Sequence, residues 1–68
     1  MSYQTLTNFG YKLRAARRIK GLEGWHLARE VGITVEELNK IERGACDVSI
    51  VQAMQLARAV DLSITHLL

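Results

Sequence analysis

Of the nine Lys and Arg residues in this 68-residue chain, Lys12, Arg14, Arg17, Arg18 and Lys20 crowd into one short run. Cations at that density suit either the solvated face of a helix or a strip facing phosphates. Other reactive side chains are sparse. Cys46 is the only cysteine, so no disulfide can close within the chain and no Cys/His set offers four zinc ligands. Its thiol is a spectator, a redox sensor or a bridge between subunits. His26 reads as a surface side chain, as does His66, for which a mate across a dimer axis is the alternative. No Ser/His/Asp ordering, no paired carboxylates in a glycine-lined site and no phosphate-cradling loop is present. An enzyme is therefore not expected, and no metal, cofactor or small-molecule ligand is implied.

Composition narrows the class. The hydrophobic share of 49% fits a globular domain and argues against disorder. A net charge of +2 and a pI near 9.0 are compatible with a nucleic-acid partner without demanding one. No apolar run approaches the ~20 residues that span a bilayer, and residues 1–10 lack the regions of a signal peptide. The expectation is a cytoplasmic protein without membrane contact. Sixty-eight residues allow one domain near the lower limit of self-sufficiency. Without a staple or metal, regular helix packing and self-association must supply the stability.

The elements that would position these groups are helical throughout, since apolar residues recur at three- and four-residue spacing and nothing alternates like a strand. Phe9, Leu13, Ala16 and Ile19 would line a first helix, capped by Asn8 and ended by Gly21. A second would run from about Gly24 to Val31, burying Leu27, Ala28 and Val31 before a left-handed exit at Gly32. Thr34 and Glu37 form a capping box for a third, which carries Leu38 and Ile41 inward and stops at Gly44. After a loop over Ala45 to Val48, Ser49 and Gln52 cap a fourth, with Ile50, Ala53, Leu56, Ala57 and Val60 facing in. Asp61 can take the left-handed turn behind it. Ser63 would start a short last helix holding Ile64, Leu67 and Leu68. The expected organisation is an N-terminal extension over 1–8 and one five-helix domain over 9–68.

Within that domain, 24–43 has the layout of a helix-turn-helix, with small Ala28 where two helices cross and Gly32 at a turn needing positive φ. The stretches Lys20-Gly21-Leu22, Leu27-Ala28, Val31-Gly32-Ile33-Thr34, Ile41-Glu42-Arg43-Gly44, Leu56-Ala57-Arg58-Ala59 and Leu62-Ser63 resemble the Cro/C1-type (XRE-like) helix-turn-helix family over roughly Phe9 to Leu68. The resemblance implies an all-α, lambda-repressor-like five-helix domain whose third helix enters the major groove of double-stranded DNA, in a two-fold dimer on a pseudopalindromic operator. It also implies that Val35, Glu36, Asn39 and Lys40 face base edges. Arg43 and the backbone at Gly24 would hold phosphates. Arg17 and Glu42 would form a partly buried structural pair.

Two departures bear on affinity. Gly24 stands where many members carry Gln, and can offer only its N–H. Residues 45–49 carry Asp47 and no cation, and the third helix carries Glu36 and Glu37, so fewer phosphates are neutralised. Trp25 replaces a residue that tends to be polar and is expected to pack on the N-terminal segment, against Tyr3 or Tyr11, the alternatives being contact with a DNA sugar-phosphate or with a partner. The implied function is a homodimeric repressor or autoregulator, of the compact kind found in phage and mobile-element operons, with Ile64, Leu67 and Leu68 at the dimer interface. The alternative is a protein-binding module on the same fold, such as an antitoxin, which the acidic third helix and Trp25 favour.

Overall fold

The computed structural model describes residues 3–62, with side chains from Thr7 onward. Over this span the chain forms four helices: α1 (Tyr3–Lys20), α2 (Gly24–Val31), α3 (Val35–Glu42) and α4 (Ile50–Ala59). The expected last helix, with Ile64, Leu67 and Leu68, lies outside the described residues.

Every helix ends in the same closure. Gly21, Gly32, Gly44 and Asp61 take left-handed backbone, at φ 77°, 75°, 69° and 58°. Each time the following amide reaches back five residues: Leu22 to the Arg17 carbonyl (3.0 Å), Ile33 to Ala28 (2.9 Å), Ala45 to Lys40 (2.8 Å) and Leu62 to Ala57 (2.8 Å). These Schellman motifs satisfy carbonyls that the helix leaves open, and they turn Leu22, Ile33 and Leu62 back onto the core. Asp61 adopts this geometry at a steric cost that glycine avoids.

The starts of α3 and α4 are capped by hydroxyls. Thr34 Oγ1 accepts from the Glu37 amide and Ser49 Oγ from the Gln52 amide, both at 3.0 Å. The expected return bonds from the Glu37 and Gln52 side chains are not made among the described residues. Glu37 is exposed, and water competes for its carboxylate. Ile33 and Val48, each just before a cap, turn inward with Leu38 and Ala53, which sit at the fourth helical positions. This is the arrangement of a hydrophobic staple, and it sets the angle at which each helix enters.

Phe9, Leu13, Leu27, Leu38 and Leu56 form the fully buried centre, joined by Ala28, Ile41, Val48, Ala53, Ala57 and Val60. α1 packs on α3, and α2 packs on both α3 and α4.

Three further sequence expectations are corrected. Asn8 does not cap α1, which begins at Tyr3; the turn before Phe9 lies so close to the end of α3 that a Cβ at Gly44 would meet Thr7 Cα at 2.8 Å. That contact is between distant residues and has no local signature. Ile19 is 88% exposed rather than in the core. Each three-residue step falls about 60° short of a full turn, so the stripe Phe9–Leu13–Ala16 continues at Lys20 and not at Ile19. The same drift leaves Ile50 exposed ahead of Ala53 in α4.

Candidate nucleic-acid interface

The pairing of α2 with α3 follows from residues already described. Leu27 and Ala28 pack in one core with Leu38 and Ile41, while the left-handed Gly32 and the Thr34 cap make the connection tight. With Leu38 and Ile41 inside, helical periodicity forces two stripes outward. One is Val35 and Asn39; the other is Glu36, Lys40 and Arg43. Val35, Glu36, Asn39, Lys40 and Arg43 are all exposed. Glu36 and Lys40 have the i,i+4 spacing of a helical ion pair, yet no such pair forms among the described residues.

Glu42, four residues after Leu38, borders the inward face and turns to α1. Arg17 Nε donates to Glu42 Oε2 at 2.7 Å and Arg17 Nη2 to Glu42 Oε1 at 3.1 Å, a two-point contact between a planar guanidinium and a carboxylate. The side chains are only 14% and 7% exposed. Arg17 Nη1 also donates to the Leu22 carbonyl at 2.9 Å. The hydrogen bond with Glu42 raises the Arg17 pKa above its ordinary value, and outweighs the opposing effect of burial.

Above this pair lies an open groove of about 450 Å³ lined by Arg14, Arg17, Glu36, Asn39, Lys40, Glu42 and Arg43. With Arg17 and Glu42 cancelling, three cations and one carboxylate remain. Such a groove attracts anions.

Gly24 opens α2. Glu23 precedes it in extended conformation without a side-chain cap, and its carbonyl accepts from the amides of His26 and Leu27, both at 3.1 Å. The amides of Gly24 and Trp25 therefore stand at the open, positive end of the helix dipole. Trp25 is 57% exposed and stacks on His26, with centroids 5.5 Å apart and planes 22° from parallel. Tyr11, one of the two expected partners, is itself exposed and lines a separate apolar groove with Ile19 and Leu62, while the side chain of Tyr3, the other, lies outside the described residues. His26 Nε2 also lies 3.3 Å from Glu30 Oε1.

The basic run of α1 is divided by the fold. Lys20 donates to the Ala59 carbonyl at 2.9 Å and pairs with Asp61 at 3.1 Å, which ties the ends of α1 and α4. Arg17 is held by Glu42, Lys12 faces the apolar groove, and Arg14 faces α3. Cys46 is a free, partly buried thiol against the core. Among the described residues no His, Cys, Asp and Glu side chains group to hold a metal ion, and no helix is long and apolar enough to cross a membrane.

Sequence reasoning missed Gly10 in this region and did not single out Arg14 from its basic run. A Cβ at Gly10 would strike the Ile41 and Glu42 carbonyl oxygens. An unexplained glycine inside a helical pattern was the available signal.

Comparison with solved structures finds the same architecture. The restriction-modification controller protein C.AhdI from Aeromonas hydrophila is 36% identical, over 97% of this chain and 96% of that one, with a TM-score of 0.86. The clp gene regulator ClgR from Corynebacterium glutamicum is 25% identical, over 93% of this chain and 67% of that one, with a TM-score of 0.88. No protein-family model matches the chain, and no curated protein matches it at a significant level.

Proposed function

Because the chain belongs to the Cro/C1-type helix-turn-helix family of DNA-binding transcriptional regulators, we propose that it is a dimeric repressor or autoregulator, without enzymatic activity, acting on a pseudopalindromic operator. The observation that carries the reading is the outer face of α3. Val35, Glu36, Asn39 and Lys40 project from a helix locked by Leu38 and Ile41, beside a groove whose uncancelled charge is positive. Asn39 suits adenine and Lys40 the acceptors of guanine. Val35 suits a thymine methyl, and Glu36 accepts from cytosine. Arg43, at the C-cap of α3, and the open amide of Gly24 would hold phosphates and set register.

Near-complete coverage of a restriction-modification controller favours the control of a small accessory operon. Self-association is proposed through Ile64, Leu67 and Leu68, which lie outside the described residues, and the exposed Ile50, Val51 and Met54 of α4 offer an apolar surface that would serve it too.

The test is selection of a duplex from a random library, followed by gel shift with the selected and a scrambled sequence. Enrichment of an inverted repeat with half-sites about 34–36 Å apart supports the proposal. A protein that enriches no sequence and shifts neither duplex sinks it, and exposed Trp25 with Glu36 and Glu37 would then mark a protein-binding face.

A further inference from the structure

Gly10, Arg14 and Arg17 share one stripe of α1, at i, i+4 and i+7. The first has no room for a side chain, because the α3 carbonyls of Ile41 and Glu42 occupy the place of its Cβ. The stripe therefore runs along the flank of α3, and its next two positions carry guanidinium groups. Arg17 is used up in the contact with Glu42 and the Leu22 carbonyl. Arg14 is exposed, lines the groove with Asn39, Lys40 and Arg43, and makes no ion pair or hydrogen bond among the described residues. Glu36 lines the same groove and does not capture it.

We propose that Arg14 is a DNA-contacting residue on α1, holding a backbone phosphate beside the groove that α3 enters. The proposal rests on the DNA-binding reading above and extends the contact surface from the helix-turn-helix to the first helix. Phosphate is the fitting partner for a free guanidinium at the rim of a positive groove, because its two-point donor geometry matches phosphate oxygens. Base edges lie deeper, opposite the α3 face. Arg14 would then act in clamping orientation: α3 is held from one side by Arg43 and from the other by Arg14, with the Arg17–Glu42 pair as the rigid floor between them.

The experiment compares wild type, Arg14→Ala and Arg14→Glu on a duplex recovered by selection and on its scrambled version, at several salt concentrations, with thermal melting alongside. Arg14→Ala should weaken both duplexes in parallel and lower the salt slope by about one. Between 50 and 200 mM salt it should lose about 3.5-fold less affinity than wild type does. Arg14→Glu should be weaker still, and melting should not change. Wild-type binding that Arg14→Ala leaves intact in affinity and slope overturns the proposal alone. Loss confined to one base position, with the slope kept, also overturns it in favour of base reading. Wild type that binds neither duplex overturns the DNA-binding reading and this proposal with it.

Discussion

Arg17 and Glu42, 25 residues apart in sequence, meet through two hydrogen bonds that fasten the last turn of α1 to the last residue of α3. A carboxylate at a helix C-terminus faces the negative end of the dipole, which is unfavourable. The guanidinium offsets this and also satisfies the Leu22 carbonyl beyond the end of α1. One side chain thus fixes the angle of the proposed reading helix.

Glu42→Ala should destabilise the protein far more than Glu36→Ala. Stranding a fully enclosed partner costs about 3–5 kcal/mol, and the slight exposure here brings that to about 2–3. In a domain this small that is a fall of roughly 10–20 °C in Tm, against a change of about 2–3 °C for exposed Glu36. Circular dichroism melts of the two variants decide it, and equal melting temperatures would remove the pair from the stability argument.

The contribution of Arg17 should not vary with pH near neutrality. Its folded pKa is raised, so the stabilisation is fully present below the unfolded value, and is lost only as pH rises through the folded one. Both lie far above about pH 9. The stability gap between wild type and Arg17→Met, from urea titrations at about pH 6.5 and 9, is expected to show no loss from arginine titration. A gap that shrinks steadily over that interval contradicts this assignment.

Gly10→Ala should lower stability although alanine is the better helix former. The new methyl meets backbone carbonyls of α3, which cannot move without shifting that helix, and overpacking of this kind costs about 1–3 kcal/mol. Gly24→Ala meets only Leu38 Cδ2, at 3.8 Å, and should be neutral or slightly stabilising. Both melts are needed, since parallel shifts in the two variants would mean propensity alone is being measured.

Reading and holding should separate on α3. Asn39→Ala and Lys40→Ala are expected to cost about 1–3 kcal/mol on the selected duplex and to flatten discrimination at one position per half-site. Arg43→Ala should weaken all duplexes alike and reduce the salt slope by about one. If all three variants keep wild-type affinity and discrimination, α3 is not the reading head.

The protein should sediment as a dimer at micromolar concentration, and Leu67→Asp should shift it toward monomer and weaken operator binding without abolishing the helical signal. Wild type that remains a monomer even with the selected duplex would refute the two-fold arrangement.

The boundaries of α2 and α3 were legible because their causes are local. Thr34 lies three residues from the amide it caps, and Gly32 bends its own backbone, so each signal acts within a turn of the chain. The same holds for the inward faces of these short helices, where Leu27, Ala28, Leu38 and Ile41 occupy a stripe too brief to drift. The family pattern added Arg17 and Glu42, whose types alone do not disclose that they meet. Tertiary structure decided what depended on two elements at once. Where α1 begins, why Gly10 has no side chain and which free cation of the basic run stands beside α3 all follow from the close approach of α1 to the end of α3. Ile19 and Ile50 were misplaced for a related reason. Three-residue spacing rotates each of them about 60° off its buried stripe, and whether a neighbouring element covers the angle so reached is set by how the helices cross.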